Sequence, residues 1–382
     1  MHVITRLIVG GAQENTILTC EGMHHRGHDV TLITGPSLGP EGSLMPRAAS
    51  GGYRVIVEPN LVRNPHPWRD ARAYRRLRRL FAELQPAVVH THSSKAGIIG
   101  RAAAWQSKVP LIVHTVHGLP FHPYQSQMTN AAWISLERFA ARRCHKIVCV
   151  AEAMKRQALA CGVGQPEQFI TIYSGMEIQP FLHPLTNQTT ARKKLGIAFD
   201  RIVLGTIARL QPLKGHDDIL ALAETLIRAE PRLTFLWIGD GIFRNRLAAQ
   251  IDKAGWRDHF ILTGLVAPEQ IPNLIPAMDI MVHPSYREGL PRSVVQGMLE
   301  QVPAIVYNCD GAGEVCIANE TGVLVETGDR PALQAAILQL AQNSGLRDKL
   351  GAKAQRLAQE RFDADIMVSQ LLQLYDQASR SA

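Results

Sequence analysis

The chain of 382 residues lacks several features that mark whole classes of protein. It has no apolar run near the ~20 residues that cross a bilayer, the longest being Lys146–Val150 and Ile202–Ala208. Its opening, MHVITRLIVGG, has one arginine and a short apolar run, which predicts a buried first strand and not a signal peptide. We therefore expect a cytoplasmic protein with no spanning helix.

Cysteine is scarce and scattered. The six cysteines form no CxxC pair and match no spacing typical of a zinc or disulfide framework. They are Cys20, Cys144, Cys149, Cys161, Cys309 and Cys316. We expect them to be reduced thiols in the core of a cytoplasmic protein.

Aromatic residues are also few, at 6% of the chain, and neither a zinc-finger spacing nor an RNP-type aromatic strand is present. A nucleic-acid partner is therefore not predicted. The net charge of +8 and the pI of about 9.3 need another explanation. A basic surface also suits anionic lipid or phosphorylated substrates.

Much of the positive charge lies in one predicted amphipathic helix at 69–84. Apolar residues recur there at helical spacing between arginines. The arginines are Arg69, Arg72, Arg75, Arg76, Arg78 and Arg79. Two interpretations stay open: the solvated outer face of a packed helix, or contact with an anionic membrane surface.

Short Val- and Ile-rich runs alternate with amphipathic helices along the chain, which predicts an α/β fold with parallel sheets covered on both faces. The alternation restarts after a polar, Thr-rich segment. We predict two doubly wound, Rossmann-like domains at 1–182 and 201–362, joined by a linker at 183–200. The final helix, 363–382, could cross back to the N-terminal domain. A cleft between the domains is the expected active site, because such sheets bind ligands beyond the carboxyl ends of their strands.

Gly10 and Gly11 follow the first strand and open a helix, where a backbone can approach a phosphate. The pattern is not GxGxxG, and no acid ends the second strand, Thr31–Thr34. NAD binding is therefore not predicted. Taken alone, the pair fits a tight turn as well as a phosphate site.

Arg209 and Lys214 share one loop, ARLQPLKGH, after the first strand of the second domain. Such residues are commonly solvated surface charges. At the carboxyl edge of a sheet they could neutralise a diphosphate, with arginine as the bidentate partner and lysine as a point charge.

The stretch EGLPRS follows the strand DIMVHPS. Pro291 suits the first position of a helix, and the amides near Gly289 and Leu290 would face a ligand above it. Glu288 would accept hydrogen bonds from sugar hydroxyls, although a plain capping role is the alternative.

Four histidines end two neighbouring strands: His90, His92, His114 and His117. No acid or cysteine joins them at a spacing typical of a metal site. We therefore predict no metal, and a hydrogen-bonded loop histidine is the simple interpretation of His117.

Taken together, a series of stretches in order along nearly the whole chain resembles the retaining glycosyltransferases of family four, which have the GT-B fold. The stretches are GGA followed by RGHDVTLIT, VVHTHSSKAGIIGRAAA, VHTVHG, IYSGME, ARLQPLKG, WIGDG, LTG, HPSYREGLP and TGVLV. The set in register is specific, although no member is decisive alone.

The resemblance implies roles for individual residues. Arg209 and Lys214 would hold the donor diphosphate, with Gly11, next to Gly10, closing over it. Glu288 and His117 would contact the transferred sugar as the catalytic pair. The loop of Gly289, Leu290 and Pro291 would cradle sugar and phosphate.

The chain departs from the family pattern at position 296, where a second glutamate is expected to hold the ribose hydroxyls. Gln296 can still accept a hydrogen bond but without charge, a difference of roughly 1 kcal/mol. Glu300 lies one turn further along, about 6 Å from that position, and is not expected to substitute. Smaller departures are Ser174 and Glu177, where Asn and Asp are commoner. Weaker donor binding, an altered nucleotide preference and a dead site all stay open.

The resemblance implies transfer of a hexose from a UDP- or GDP-sugar to a hydroxyl acceptor, with retention and without a metal or other cofactor. Envelope or exopolysaccharide and glycolipid synthesis is the expected setting, with a lipid-linked acceptor and a peripheral position at the inner face of the plasma membrane as options. The alternatives are a nucleotide-sugar epimerase of the same fold and a non-catalytic nucleotide-sugar-binding homologue.

Overall fold

A computed structural model describes residues 1–37 and 42–380. The chain divides into two compact units. The first comprises residues 1–176 together with 363–382, and the second comprises residues 177–362. No helix in the described ranges combines the length and apolar character that a bilayer crossing requires.

The first unit contains a parallel sheet of seven strands in the order β3-β2-β1-β4-β5-β6-β7. The strands are β1 (His2–Ile4), β2 (Thr31–Thr34), β3 (Arg54–Val57), β4 (Val88–His92), β5 (Leu111–Val116), β6 (Lys146–Cys149) and β7 (Phe169–Thr171). The order reverses between β1 and β4, so the loops that follow these two strands diverge at the carboxyl edge of the sheet.

Helices cover both faces of this sheet. They are α1 (Gly11–His25), α2 (Met45–Ser50), α3 (Pro67–Leu84), α4 (Ser94–Gln106), α5 (Gln127–Ala141) and α6 (Glu152–Ala160), and the C-terminal helix of the chain also belongs here. On one face α4 packs between α3 and α5. On the other face the C-terminal helix packs against α1 and shares its apolar core.

The second unit contains a parallel sheet of six strands in the order β10-β9-β8-β11-β12-β13. The strands are β8 (Ile202–Ile207), β9 (Leu233–Ile238), β10 (Phe260–Gly264), β11 (Ile280–His283), β12 (Ala304–Asn308) and β13 (Gly322–Glu326). The helices that follow in chain order are α7 (Gln179–Leu182), α8 (Gln188–Leu195), α9 (His216–Ala229), α10 (Arg244–Ala254), α11 (Arg292–Leu299), α12 (Ala312–Val315), α13 (Arg330–Gln342) and α14 (Ser344–Arg361). The C-terminal helix is α15 (Ala364–Arg380).

The predicted fold class, two doubly wound Rossmann-like units, is confirmed. Apolar strands account for this success, because β8 and β9 are almost wholly buried and such runs occur where both faces of a sheet are covered.

The segment 183–200, expected to be a linker, lies within the second unit and contains α8. The side chain of Asn187 caps that helix by accepting a hydrogen bond from the backbone of Thr190. Arg192 of α8 also forms a largely buried ion pair of 2.6 Å with Asp279, the residue that directly precedes β11. The prediction of a linker was wrong because the polar composition of the segment does not distinguish a capped helix from a loop.

Candidate active site

The carboxyl edge of the second sheet brings two loops together at the point where the strand order reverses. One loop, 208–215, follows β8, and the other, 284–291, follows the neighbouring strand β11. Ligands of doubly wound sheets bind at such a position. Both loops carry residues that the sequence singled out.

Close backbone contact fixes the two loops against each other. Gly215 has φ of 73°, and a Cβ there would lie 1.9 Å from the carbonyl oxygen of Pro284. Only glycine fits this left-handed conformation and close approach. The backbone N–H of Tyr286 also donates to the carbonyl of Leu213 at 2.9 Å. Lys214 is thereby held beside the loop that carries Glu288.

Lys214 and Glu288 form an ion pair in which Nζ lies 2.5 Å from Oε1. The same Oε1 lies 2.9 Å from Nε2 of His283, the last residue of β11. The hydroxyl of Ser285 lies 3.4 Å from Nζ of Lys214. The backbone N–H of Glu288 donates to Oδ2 of Asp310 at 2.8 Å. The carboxylate therefore has a fixed position.

Electrostatics keep Glu288 ionised. Burial raises the pKa of its carboxyl, but the Lys214 ammonium and the hydrogen bond from His283 outweigh burial and hold that pKa well below its ordinary value. A charged carboxylate accepts strong hydrogen bonds from hydroxyl groups. The site can thus present a cation and a fixed acceptor side by side.

Arg209 lies on the same loop but nearer to β9. The backbone N–H of Leu210, the next residue, donates to the carbonyl of Asp240 at 2.9 Å. The Arg209 side chain is exposed, and no ion-pair partner for it occurs within residues 1–37 and 42–380. It is therefore available to an anionic ligand at the edge of the sheet.

The loop before α11 differs slightly from the prediction. Pro291 is the N-cap, and the helix begins at Arg292, so the expected first-turn position for Pro291 is wrong by one residue. Its ψ of 87° is not helical, which places it just outside the helix. Gly289 is half-buried and Leu290 buried, so the backbone between Glu288 and α11 is well packed.

Gln296 lies half-buried in the second turn of α11. Glu300 is the C-cap of that helix. Both carboxyl oxygens of Glu300 are buried without a hydrogen-bond partner in the described part of the chain, and burial raises its pKa to about 9. A neutral acid at the far end of the helix does not replace a glutamate at 296.

Sequence reasoning missed the residues that support the loop. Asp218 on α9 is buried and accepts from Tyr286 at 2.7 Å, Tyr307 at 3.0 Å and Arg330 at 2.7 Å. These bonds tie α9 to the loop after β11, to β12 and to α13. His283 and Asp310 were also missed, although both follow the rule that functional side chains cluster at the carboxyl ends of strands.

In the first unit, three imidazoles form a continuous hydrogen-bonded string. Nδ1 of His2 lies 3.1 Å from Nε2 of His92, and Nδ1 of His92 lies 3.1 Å from Nε2 of His117. Burial, reinforced by neighbouring positive groups, lowers the pKa of His2 and His92 well below the ordinary value. The inner rings are therefore neutral, and His117 lies at the half-buried end of the string.

Nitrogen atoms of His2, His90 and His92 lie within 4.8 Å of one another, a spacing that suits a metal ion. Both nitrogens of His90 have hydroxyl partners, Thr115 at 2.6 Å and Tyr375 at 2.5 Å. Both nitrogens of His92 face other imidazoles. A metal ion would have to displace these bonds, so hydrogen bonding explains the cluster best.

Gly10 is the N-cap of α1, and Gly11 is the first residue of the helix. The carbonyl of Gly10 accepts from the backbone of Gln13 and Glu14. The pair lies after β1, beside the point where the strand order of the first sheet reverses. This is the place where phosphate binding would be expected in a doubly wound sheet.

Two family profiles match the chain. The profile described as Glycosyltransferase Family 4 matches residues 9–179. The profile described as Glycosyl transferases group 1 matches residues 187–357. Between them they span most of both units.

Two curated relatives are similar over most of their length. The chain is 27% identical over 358 residues to the UDP-Gal:alpha-D-GlcNAc-diphosphoundecaprenol alpha-1,3-galactosyltransferase of Escherichia coli, covering 90% of this chain and 88% of that protein. It is 24% identical over 308 residues to the capsular polysaccharide biosynthesis glycosyltransferase CapM of Staphylococcus aureus, with 78% of each chain covered.

Solved structures share the fold. HepE of Anabaena, in complex with UDP and glucose, has a TM-score of 0.83 and 21% identity, covering 99% of this chain and 100% of that one. Sucrose-phosphate synthase of Thermosynechococcus elongatus has a TM-score of 0.82 and 19% identity, covering 100% and 99%.

Proposed function

Because the chain belongs to the family-four glycosyltransferases of the GT-B fold, we propose that it transfers a hexose from a nucleotide-diphosphate sugar to an acceptor hydroxyl with retention at the anomeric carbon. The observation that carries this proposal is the fixed Lys214–Glu288 pair at the reversal point of the second sheet. It places a cation for phosphate beside an acceptor for sugar hydroxyls.

The barrier in such a reaction is departure of the nucleotide diphosphate from an oxocarbenium-like carbon. Negative charge grows on the leaving phosphate, and preorganised cations stabilise it more than they stabilise the ground state. Arg209 and Lys214 supply those cations in the proposal. In the proposal these two cations neutralise the charge without a divalent metal.

Glu288 would accept hydrogen bonds from the transferred sugar and position it. The ammonium of Lys214 carries three N–H groups, so it would donate to the diphosphate while keeping its contact with Glu288. Leu290, Pro291 and the backbone at Gly289 would line the same pocket. For the first unit, we propose that His117 contacts the sugar and that the amides of Gly10 and Gly11 approach the diphosphate.

We propose a UDP-sugar as the donor, with a GDP-sugar as the alternative. HepE is known in complexes with UDP and with UDP-glucose, and the Escherichia coli relative is named for UDP-Gal. That relative is also named for a diphosphoundecaprenol-linked acceptor. We therefore propose a lipid-linked acceptor in envelope polysaccharide or glycolipid synthesis, used by a cytoplasmic protein at the inner membrane face.

The arginines at 69–84 support contact with an anionic membrane. All six are exposed, while Leu77, Leu80 and Phe81 of the same helix are buried. Like charges on one outward face attract anionic lipid at about 1 kcal/mol per residue. Loss of vesicle binding at high salt would be the signature of this helix.

Gln296 favours a second candidate function, that of a nucleotide-sugar-binding protein without transfer activity. A panel of UDP- and GDP-sugars incubated with and without a lipid-linked acceptor separates the candidates. Acceptor-dependent release of nucleotide supports the transferase. Binding without release indicates the inactive homologue, and interconversion of free donor without acceptor indicates an epimerase.

A further inference from the structure

Helix α5 exposes an apolar stripe to solvent. Met128 is 85% exposed, and Leu136 and Phe139 are each 44% exposed. Their spacing of eight and three residues puts them on one helix face, together with exposed Ala132. Large apolar side chains grouped on one outward face mark an interaction surface.

The opposite face of α5 is firmly packed, so the exposure does not come from a loosely placed helix. Ala140 and Ala141 are buried. Glu137 pairs with Arg101 of α4 at 2.7 Å, and both side chains are almost fully buried. This ion pair fixes the rotation of α5, and the stripe can face only outward.

The exposed charges of α5 and of the two residues after it have one sign. Glu137 is the single acid in α5, and it is buried by its pair with Arg101. Arg138 and Arg142 are exposed near the C-terminal end of the helix. The guanidinium of Arg143 stacks 3.7 Å from the centre of the Phe139 ring. An apolar stripe bordered by arginines matches the headgroup and acyl layers of an anionic bilayer.

Two neighbouring helices also expose large aromatic side chains. Helix α4 packs between α5 and the arginine-rich α3. It carries Trp105, which is 46% exposed at its C-terminal end, and α3 carries Trp68, which is 77% exposed at its N-terminal end. Tryptophan is favoured at the membrane interface, where its ring lies among headgroups.

We propose that the outer face of α5 inserts into the interfacial region of an anionic bilayer, and that α3 supplies long-range attraction to the same surface. A second copy of the chain is a poorer occupant. Pairing of two stripes would bring the arginines of two chains together, in a protein whose net charge is already +8. Anionic lipid satisfies both the apolar and the charged parts of the surface.

The test is co-sedimentation of the full chain with vesicles of phosphatidylcholine alone or with one quarter phosphatidylglycerol, in the absence of any sugar donor. We expect binding to the anionic vesicles. Leu136→Asp and Phe139→Asp should each lower the partition coefficient about tenfold, because each buries a charge in place of an apolar group. The matched control is Phe199→Asp, since Phe199 is 65% exposed and lies in the second unit; it should bind as the wild type does.

A second arm separates insertion from attraction. Arg72→Ala combined with Arg75→Ala should flatten the salt dependence of binding, whereas Leu136→Asp should lower binding at every salt concentration. Melting curves of all variants confirm folding, which exposed substitutions should preserve. Wild-type binding by Leu136→Asp and Phe139→Asp overturns the proposal. The proposal is also overturned if the wild type does not bind vesicles but forms a dimer, and Leu136→Asp is a monomer. Because no donor is present, either result leaves the proposed transfer reaction untouched.

Discussion

Nζ of Lys214 lies 2.5 Å from Oε1 of Glu288, and the two side chains are 20% and 13% exposed. The pair joins the residue expected to hold the donor phosphate to the residue expected to hold the donor sugar. Each group is therefore positioned by the other before a ligand arrives. Preorganisation of this kind lowers the cost of reaching the charge distribution of the transition state.

Lys214→Ala and Arg209→Ala should differ in their effects on stability. Removal of Lys214 leaves a mostly buried carboxylate without its partner, so the free energy of unfolding should fall by about 3 kcal/mol. Arg209 is exposed, and its removal should leave unfolding unchanged. Both variants should lose about 100-fold or more in transfer rate. Chemical denaturation and initial rates measure the two effects.

The control for both variants is Arg228→Ala, because Arg228 forms an exposed ion pair within α9. It should keep wild-type stability and rate. A normal rate in Arg209→Ala would remove that residue from the diphosphate site.

Glu288 should make stability depend on pH in a defined direction. Its folded pKa lies below the ordinary value of about 4.3, so its contribution is complete above about pH 5 and is lost as the pH falls through the folded value. Glu288→Gln should lower the unfolding free energy by about 2 kcal/mol at pH 7. The difference in unfolding free energy between Glu288→Gln and the wild type should be smaller at pH 3 than at pH 7, as measured by urea titration.

Glu224→Gln is the comparison for the pH experiment, since Glu224 forms an exposed pair with Arg228. Its difference from wild type should stay near zero at both pH values. A gap for Glu288→Gln that is the same at pH 7 and pH 3 would contradict the ionised, paired carboxylate.

Gln296→Glu should strengthen donor binding. If position 296 accepts from the ribose, a carboxylate there adds charge assistance of roughly 1 kcal/mol, or a fall of about fivefold in the KM for the donor. The control is Gln301→Glu, because Gln301 is exposed just beyond α11. An unchanged KM in Gln296→Glu would place the ribose elsewhere.

His92→Phe should disturb His117 through the imidazole string. Loss of the His92 ring removes the partner of Nε2 of His117 and should alter the tautomer balance of that ring, so the transfer rate should fall about tenfold, which corresponds to ~1.4 kcal/mol. Nitrogen chemical shifts of the His117 ring should move, and the pH profile of kcat should change. His92→Gln, which keeps a hydrogen-bonding side chain, should recover part of the rate.

His90→Phe is the matched variant, because His90 lies on the same strand but bonds to Thr115 and Tyr375. This variant should be less stable than the wild type, but the nitrogen chemical shifts of its His117 ring should equal those of the wild type. Equal shifts in both variants would indicate general loosening of the core.

The strands, their parallel pairing and the doubling of the fold could be predicted because buried strands in such sheets have a plain apolar signature. The helix α8 could not, because Asn187 caps a polar segment that is held by contacts of Arg192 with residues distant in the chain, among them Asp279. The polar Thr-rich stretch therefore looked like a linker. Helix α11 begins one residue later than predicted, because the ψ of Pro291 is not helical.

The loops that carry Lys214 and Glu288 could be located from the sequence, but their contact could not. It depends on the approach of Gly215 to Pro284. It depends also on the hydrogen bond that the Tyr286 hydroxyl donates to Asp218, 68 residues away in the chain. The string from His2 to His117 likewise joins three strands, β1, β4 and the end of β5. Alternation along single strands carries no information about such pairs.

Whether the diphosphate leaves under the influence of Lys214 is measured by release of UDP or GDP from a panel of nucleotide sugars, with and without a lipid-linked acceptor, by the wild type and Lys214→Ala side by side. We expect acceptor-dependent release from at least one donor by the wild type and a loss of about 100-fold in the variant. Release from no donor, or equal release by the two proteins, would contradict this expectation.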